Sequence, residues 1–145
     1  MGTQQNPTPR FLSARQAREY NDPRLSPFLR VVLGSALRAA SAWSWTPLVI
    51  SIYRTEAEEQ EIERQTGKPT SRIHSAWRAC DLRTIDASDE AIEAVTRGIN
   101  GLYEYDSARP GKLVAFGEPH GTGPHLHLQV HPDSRVRLSA TRGMG

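Results

Sequence analysis

Helical and strand-like rhythms of apolar positions divide this chain into a helical first third and a mixed remainder. Phe28, Val31, Val32, Ser35, Ala36 and Ala39 recur at helical spacing behind Ser26-Pro27, a hydroxyl cap followed by proline at the first helical position. A core helix is therefore expected to end near Ala42, with Trp43 and Trp45 packing at its exit. Residues 47–53 form a β-branched run and a predicted buried strand. Thr55-Glu56-Ala57-Glu58 is a capping box that opens a helix over about 56–65, and Gly67 stops it. Its glutamates, Glu56, Glu58, Glu59, Glu61 and Glu63, read as a solvated face. Ser88-Asp89-Glu90 opens another helix with Ile92, Val95, Ile99 and Leu102 as its buried stripe. Further strands are expected at 79–83, 113–117 and 124–130. Residues 1–25 read as an arm with a short helical stretch near 13–20, residues 26–138 as one domain, and 139–145 as a flexible tail. This order predicts an α+β fold, a small mainly antiparallel sheet flanked by about three helices, with a metal site on the sheet's concave side.

The last strand carries the most chemistry. Gly123-Pro124-His125-Leu126-His127-Leu128-Gln129-Val130 alternates polar and aliphatic residues, so His125, His127 and Gln129 share one face and the three aliphatic residues share the other. Two histidines about 7 Å apart along a strand suit one metal ligand beside one proton carrier. Upstream, Ser71-Arg72-Ile73-His74-Ser75-Ala76-Trp77-Arg78-Ala79-Cys80-Asp81-Leu82-Arg83 supplies a histidine and a strand-borne aspartate. His74, Asp81 and His127 thus offer three nitrogen or oxygen donors. A catalytic zinc is held by three protein ligands with one position left open, whereas a structural zinc is closed by four.

Composition narrows the alternatives. With 145 residues the chain suffices for one domain with its own core. Its single cysteine, Cys80, rules out an intrachain disulfide and reads as a buried structural thiol. The N-terminus lacks a secretory signal, and no run reaches the ~20 apolar residues of a membrane span. The expectation is a protein made in the cytoplasm, without membrane insertion. A net charge of +2 is a mild excess that favours an anionic partner such as a cell-wall polymer but falls short of the clustered basic stripe of a nucleic-acid binder. A weaker reading makes the arginines of 135–142 a binding site for an anionic polymer.

Three segments resemble one superfamily of zinc peptidases over residues 49–130. His74-Ser75-Ala76-Trp77-Arg78-Ala79-Cys80-Asp81 resembles the H-x-x-G-x-A-x-D signature of the D-alanyl-D-alanine carboxypeptidase and phage endolysin branch. Thr122-Gly123-Pro124-His125-Leu126-His127-Leu128 is similar to the G-P-H-L-H stretch of the lysostaphin branch, and Ser51-Ile52-Tyr53-Arg54 resembles the S-x-Y-R segment that precedes the first ligand. The resemblance implies Zn²⁺ on His74, Asp81 and His127, a proton-handling His125, and Arg54 against a substrate carbonyl or carboxylate. It implies a metallopeptidase hydrolysing peptidoglycan stem peptides, as an endolysin-like endopeptidase or a D-Ala-D-Ala carboxypeptidase, reaching the wall by phage-type lysis or virion delivery; a monomer is expected. A catalytically inactive, zinc-stabilised binding or virion protein of the same fold is the alternative. Trp77 departs from the signature's glycine, and its indole is a candidate cleft wall; Arg72 replaces a small hydroxyl residue. Pro124 stands where some relatives carry a catalytic glutamate, so the base is open among His125, Glu118 and His120. His120 could instead orient the substrate or stabilise the tetrahedral intermediate. His131 reads as a surface residue.

Overall fold

The computed structural model describes residues 8–118 and 124–138. Its elements are β1 (Arg10–Phe11), α1 (Ala14–Tyr20), α2 (Pro27–Ser41), β2 (Leu48–Ser51), α3 (Glu56–Thr66), β3 (Ala79–Arg83), α4 (Asp89–Leu102), β4 (Tyr103–Glu104), β5 (Ala115–Glu118), β6 (His125–Gln129) and β7 (Arg135–Val136). Cap chemistry sets the helix ends. The Ser26 hydroxyl accepts from the Leu29 N–H, Thr55 and Glu58 form both bonds of their capping box, and Gly67 closes α3 at φ 70°. That left-handed conformation suits glycine, which has no Cβ to clash.

The main sheet has the order β1-β2-β3-β6-β5, with a separate β4-β7 pair. It is mixed rather than mainly antiparallel, because β1 joins β2 in parallel while the other neighbours run antiparallel. Parallel pairing needs a long return connection, and α1 and α2 supply it. Four helices, not about three, therefore belong to the described fold.

Much of the expected N-terminal arm is built into the domain. Arg15 on α1 forms a bidentate bond to Glu58 at 2.8 Å and donates to the Tyr53 carbonyl at 2.9 Å. Glu19 accepts from the Tyr53 N–H at 3.2 Å. A two-residue strand has no periodicity to read, which is why composition alone made this segment look like an arm.

The core lies between the helices and one face of the sheet. Leu29, Val32, Leu33 and Ala36 of α2 and Val95 and Ile99 of α4 meet Leu82, Leu126 and Leu128. The α2 stripe is offset from the expected one: Val31 is 49% exposed, while Leu29, Leu33 and Leu37 are buried. Both stripes have helical spacing, and the sheet determines which is covered. Leu126 and Leu128 are fully buried, each worth roughly 1.5–3 kcal/mol. A one-residue slip of β6 would lose both and turn its histidines away from their face. Cys80, opposite Leu128 in the register, is buried as expected, and burial pushes its thiol pKa upward.

Candidate metal centre

His74 arrives on the turn between α3 and β3, and that turn is fastened residue by residue to the segment after β2. The His74 Nδ1 donates to the Ile52 carbonyl and the Ser75 hydroxyl donates to the Arg54 carbonyl, both at 2.8 Å. These two bonds bring the resembling segments at 51–54 and 74–81 together. The turn uses left-handed conformations at Arg72 (φ 61°) and Trp77 (φ 62°). Arg72 is anchored to Glu63 and Glu56. Trp77 stacks on Tyr53 with centroids 4.3 Å apart, and the Arg24 guanidinium lies 4.6 Å over its ring. The turn thus keeps the backbone a glycine would favour, at a cost of about 1–2 kcal/mol, while the indole packs into the core.

Trp77 does not line a cleft in this structure. It is 8% exposed, with Tyr53 stacked on its ring and the Arg24 guanidinium over it.

The register of β3 against β6 sets Asp81 directly opposite His127. Asp81 Oδ1 lies 2.9 Å from His127 Nδ1, and Oδ2 lies 3.4 Å from His74 Nε2. The three ligand atoms lie within 4.8 Å of one another, and all three side chains are buried. Tetrahedral zinc with bonds of 2.0–2.2 Å would set neighbouring donors about 3.4 Å apart, close to what the side chains span.

Proton placement gives the stronger test of fit. The Ile52 carbonyl can only accept, so His74 donates from Nδ1 and Nε2 is the nitrogen turned inward, where it is buried without a hydrogen-bond partner and, in a neutral imidazole, offers a lone pair. His127 Nε2 lies 3.1 Å from Gln129 Oε1, another obligate acceptor. A neutral His127 then turns its Nδ1 lone pair toward the Asp81 carboxylate. With both imidazoles neutral, two nitrogen lone pairs would converge on a buried carboxylate, an arrangement that a cation between them, a proton or a metal ion, relieves. The donor set therefore fits a metal ion.

Charge is concentrated here. Burial acts to raise the Asp81 pKa, and positive charge on His74 and His127, when these imidazoles are protonated, acts against it and holds the carboxyl well below the ordinary range. Arg54, expected to meet substrate, lies 3.3 Å from Asp81 Oδ2 and 3.5 Å from Glu59 Oε1. Glu59 is 1% exposed and also accepts from the Thr70 hydroxyl at 3.1 Å. The reading of α3 as a solvated acidic face is thus corrected at Glu59, which turns inward to Arg54.

His125 is buried beside the cluster, its Nε2 3.8 Å from Asp81 Oδ1. Glu118 stands opposite His125 in the β5–β6 register, and His120 lies outside the described residues. Phe116, opposite His127, brings its ring within 4.8 Å of that imidazole. Among the described residues a second group, Asp106, His131 and Asp133, has metal-ligand spacing. Two of its three members are already engaged: Asp106 accepts from the Ala108 N–H and from Arg109, and His131 Nδ1 accepts from the Asp133 N–H. His131 is half-buried rather than fully at the surface.

The structure brings His74, Asp81, His127, His125 and Arg54 together, and beside them lie Gln129 and Glu59, to which the sequence pattern assigned no role. The alternation of β6 already aligned Gln129 with the histidines. Nothing in the local pattern of α3 distinguishes Glu59 from its exposed neighbours.

Fold and site together define an α+β domain with a buried two-histidine, one-aspartate cluster geometrically able to bind a metal ion. Comparison with protein-family models, curated proteins and solved structures gives no match.

Proposed function

We propose that this chain is a zinc metallopeptidase that hydrolyses peptide bonds in the stem peptides of bacterial peptidoglycan, with His74, Asp81 and His127 as metal ligands. The observation that carries this reading is the inward aim of the two histidine nitrogens on either side of the Asp81 carboxylate. Two imidazoles and one carboxylate are a donor set suited to zinc and match the three-ligand pattern of its catalytic sites. Bound there, zinc would supply an acidified water and polarise the scissile carbonyl.

The remaining steps belong to side chains of this protein. His125, beside the cluster, takes up a proton and returns it to the leaving amine. Arg54 has five N–H donors in a rigid fork. Its bonds to Asp81 and Glu59 leave donors for a substrate carbonyl or terminal carboxylate, and its side chain is 24% exposed. No helix of the described residues is long and apolar enough to cross a membrane. In this reading the protein meets the wall as a monomer after phage-type lysis or virion delivery.

The burial of all three ligands favours one alternative, a zinc-stabilised binding or virion protein that does no chemistry. Mass spectrometry of fragments released from purified peptidoglycan, with chelator and with zinc restored, separates the two. Zinc-dependent new peptide termini are expected, and they name the bond. Intact walls of several chemotypes, with one zinc still bound per chain, would establish the alternative.

A further inference from the structure

The two histidines of the cluster present different nitrogens, and the cause differs between them. His74 is set by a main-chain carbonyl, that of Ile52. His127 is set by a side chain. Gln129 Nε2 donates to the Leu113 carbonyl at 2.8 Å. That carbonyl can only accept, so it fixes which end of the amide is which and turns Oε1 toward His127. Oε1 can only accept in its turn, and it lies 3.1 Å from His127 Nε2. Gln129 is buried, and its own N–H is held by the Val114 carbonyl at 2.8 Å. The amide therefore has no alternative orientation that keeps both bonds.

We propose that Gln129 is a positioning residue that holds the proton of His127 on Nε2, so that Nδ1 is the nitrogen offered to the metal. This inference rests on the reading of His74, Asp81 and His127 as a metal site. A hydrogen bond to the distal nitrogen of a ligating histidine fixes its tautomer and orientation, raises its basicity, and is typically worth 10–100-fold in metal affinity. The relay runs Leu113 carbonyl, Gln129 amide, His127 imidazole, metal. Through it the segment entering β5 contributes to the site without supplying a ligand.

The test measures zinc affinity of the full chain by competition with a chromogenic chelator, for wild type, Gln129→Met and Gln129→Glu. Methionine fills similar space but cannot accept from His127. Glutamate can accept from His127, but as a carboxylate it cannot donate to Leu113. Gln129→Met is expected to bind zinc about 10–100-fold more weakly, and Gln129→Glu within a few-fold of wild type. In the zinc-loaded protein the His127 Nε2 proton, followed by NMR, should exchange faster with water in Gln129→Met than in Gln129→Glu. Wild-type affinity in Gln129→Met would overturn the proposal, as would equal weakening by both variants, which assigns Gln129 to packing and the Leu113 bond. Failure of wild type to bind zinc would instead overturn the metal-site reading, and this inference with it.

Discussion

Asp81 on β3 and His127 on β6 face each other across a single antiparallel register, with Oδ1 2.9 Å from Nδ1. The same pairing seats Cys80 against Leu128 and Leu82 against Leu126 on the core side. Core packing and site geometry are thus one constraint, since the leucines that fix the register also fix the distance between carboxylate and imidazole.

Metal should stabilise the fold through these residues. At free zinc a thousandfold above the dissociation constant, the expected gain is about 4 kcal/mol, or roughly 8–16 °C in Tm for a domain of this size. Differential scanning calorimetry with zinc and with chelator measures the shift. His127→Ala and Asp81→Ala should abolish it together with activity.

His125 should be separable from metal binding. His125→Ala is expected to keep zinc affinity within a few-fold while kcat falls about 10²–10⁴-fold, the range typical of losing a general acid–base group. Steady-state kinetics beside a zinc titration checks both halves. An undiminished kcat would transfer the role to Glu118 or His120.

At Trp77 backbone and side chain pull in opposite directions. Truncation removes the stacking on Tyr53 and the Arg24 contact and should cost about 3–5 kcal/mol. Because the backbone there is left-handed, at φ 62°, Trp77→Gly should be less destabilising than Trp77→Ala by about 1 kcal/mol. Urea denaturation of the two variants tests the order, which is the reverse of that for an ordinary buried site.

Strong acid should loosen the hold of Glu58 on the N-terminal segment. Hydrogen bonding from Arg15 lowers the Glu58 pKa from 4.5 to about 2. A folded pKa below the unfolded one means that the contribution is complete above pH 4.5 and is lost as pH falls toward about 2. The pair is partly exposed, so its share is at the surface-pair scale, up to about 1 kcal/mol. Glu58→Gln should lower stability at pH 7 and flatten its slope between pH 4.5 and 2 in denaturation curves.

The ends of α2, α3 and α4 were legible because Ser26, Thr55, Gly67 and Ser88 act on neighbours within a few residues. The shared face of His125, His127 and Gln129 was legible for the same reason, since strand alternation is local. His74 and Asp81 stood out by residue type and spacing. Tertiary structure alone decided that β1 adds a parallel strand, that Leu29 rather than Val31 faces the core, that Glu59 turns inward to Arg54, and that Trp77 packs instead of lining a cleft. It also decided which nitrogen each histidine turns inward, through carbonyls at Ile52 and Leu113 far away in sequence. Periodicity and capping follow from contacts a few residues apart, so the chain determines them by itself. Burial of one glutamate, or the tautomer of one imidazole, depends on which distant backbone lies against it, and that exists only once the sheet has assembled.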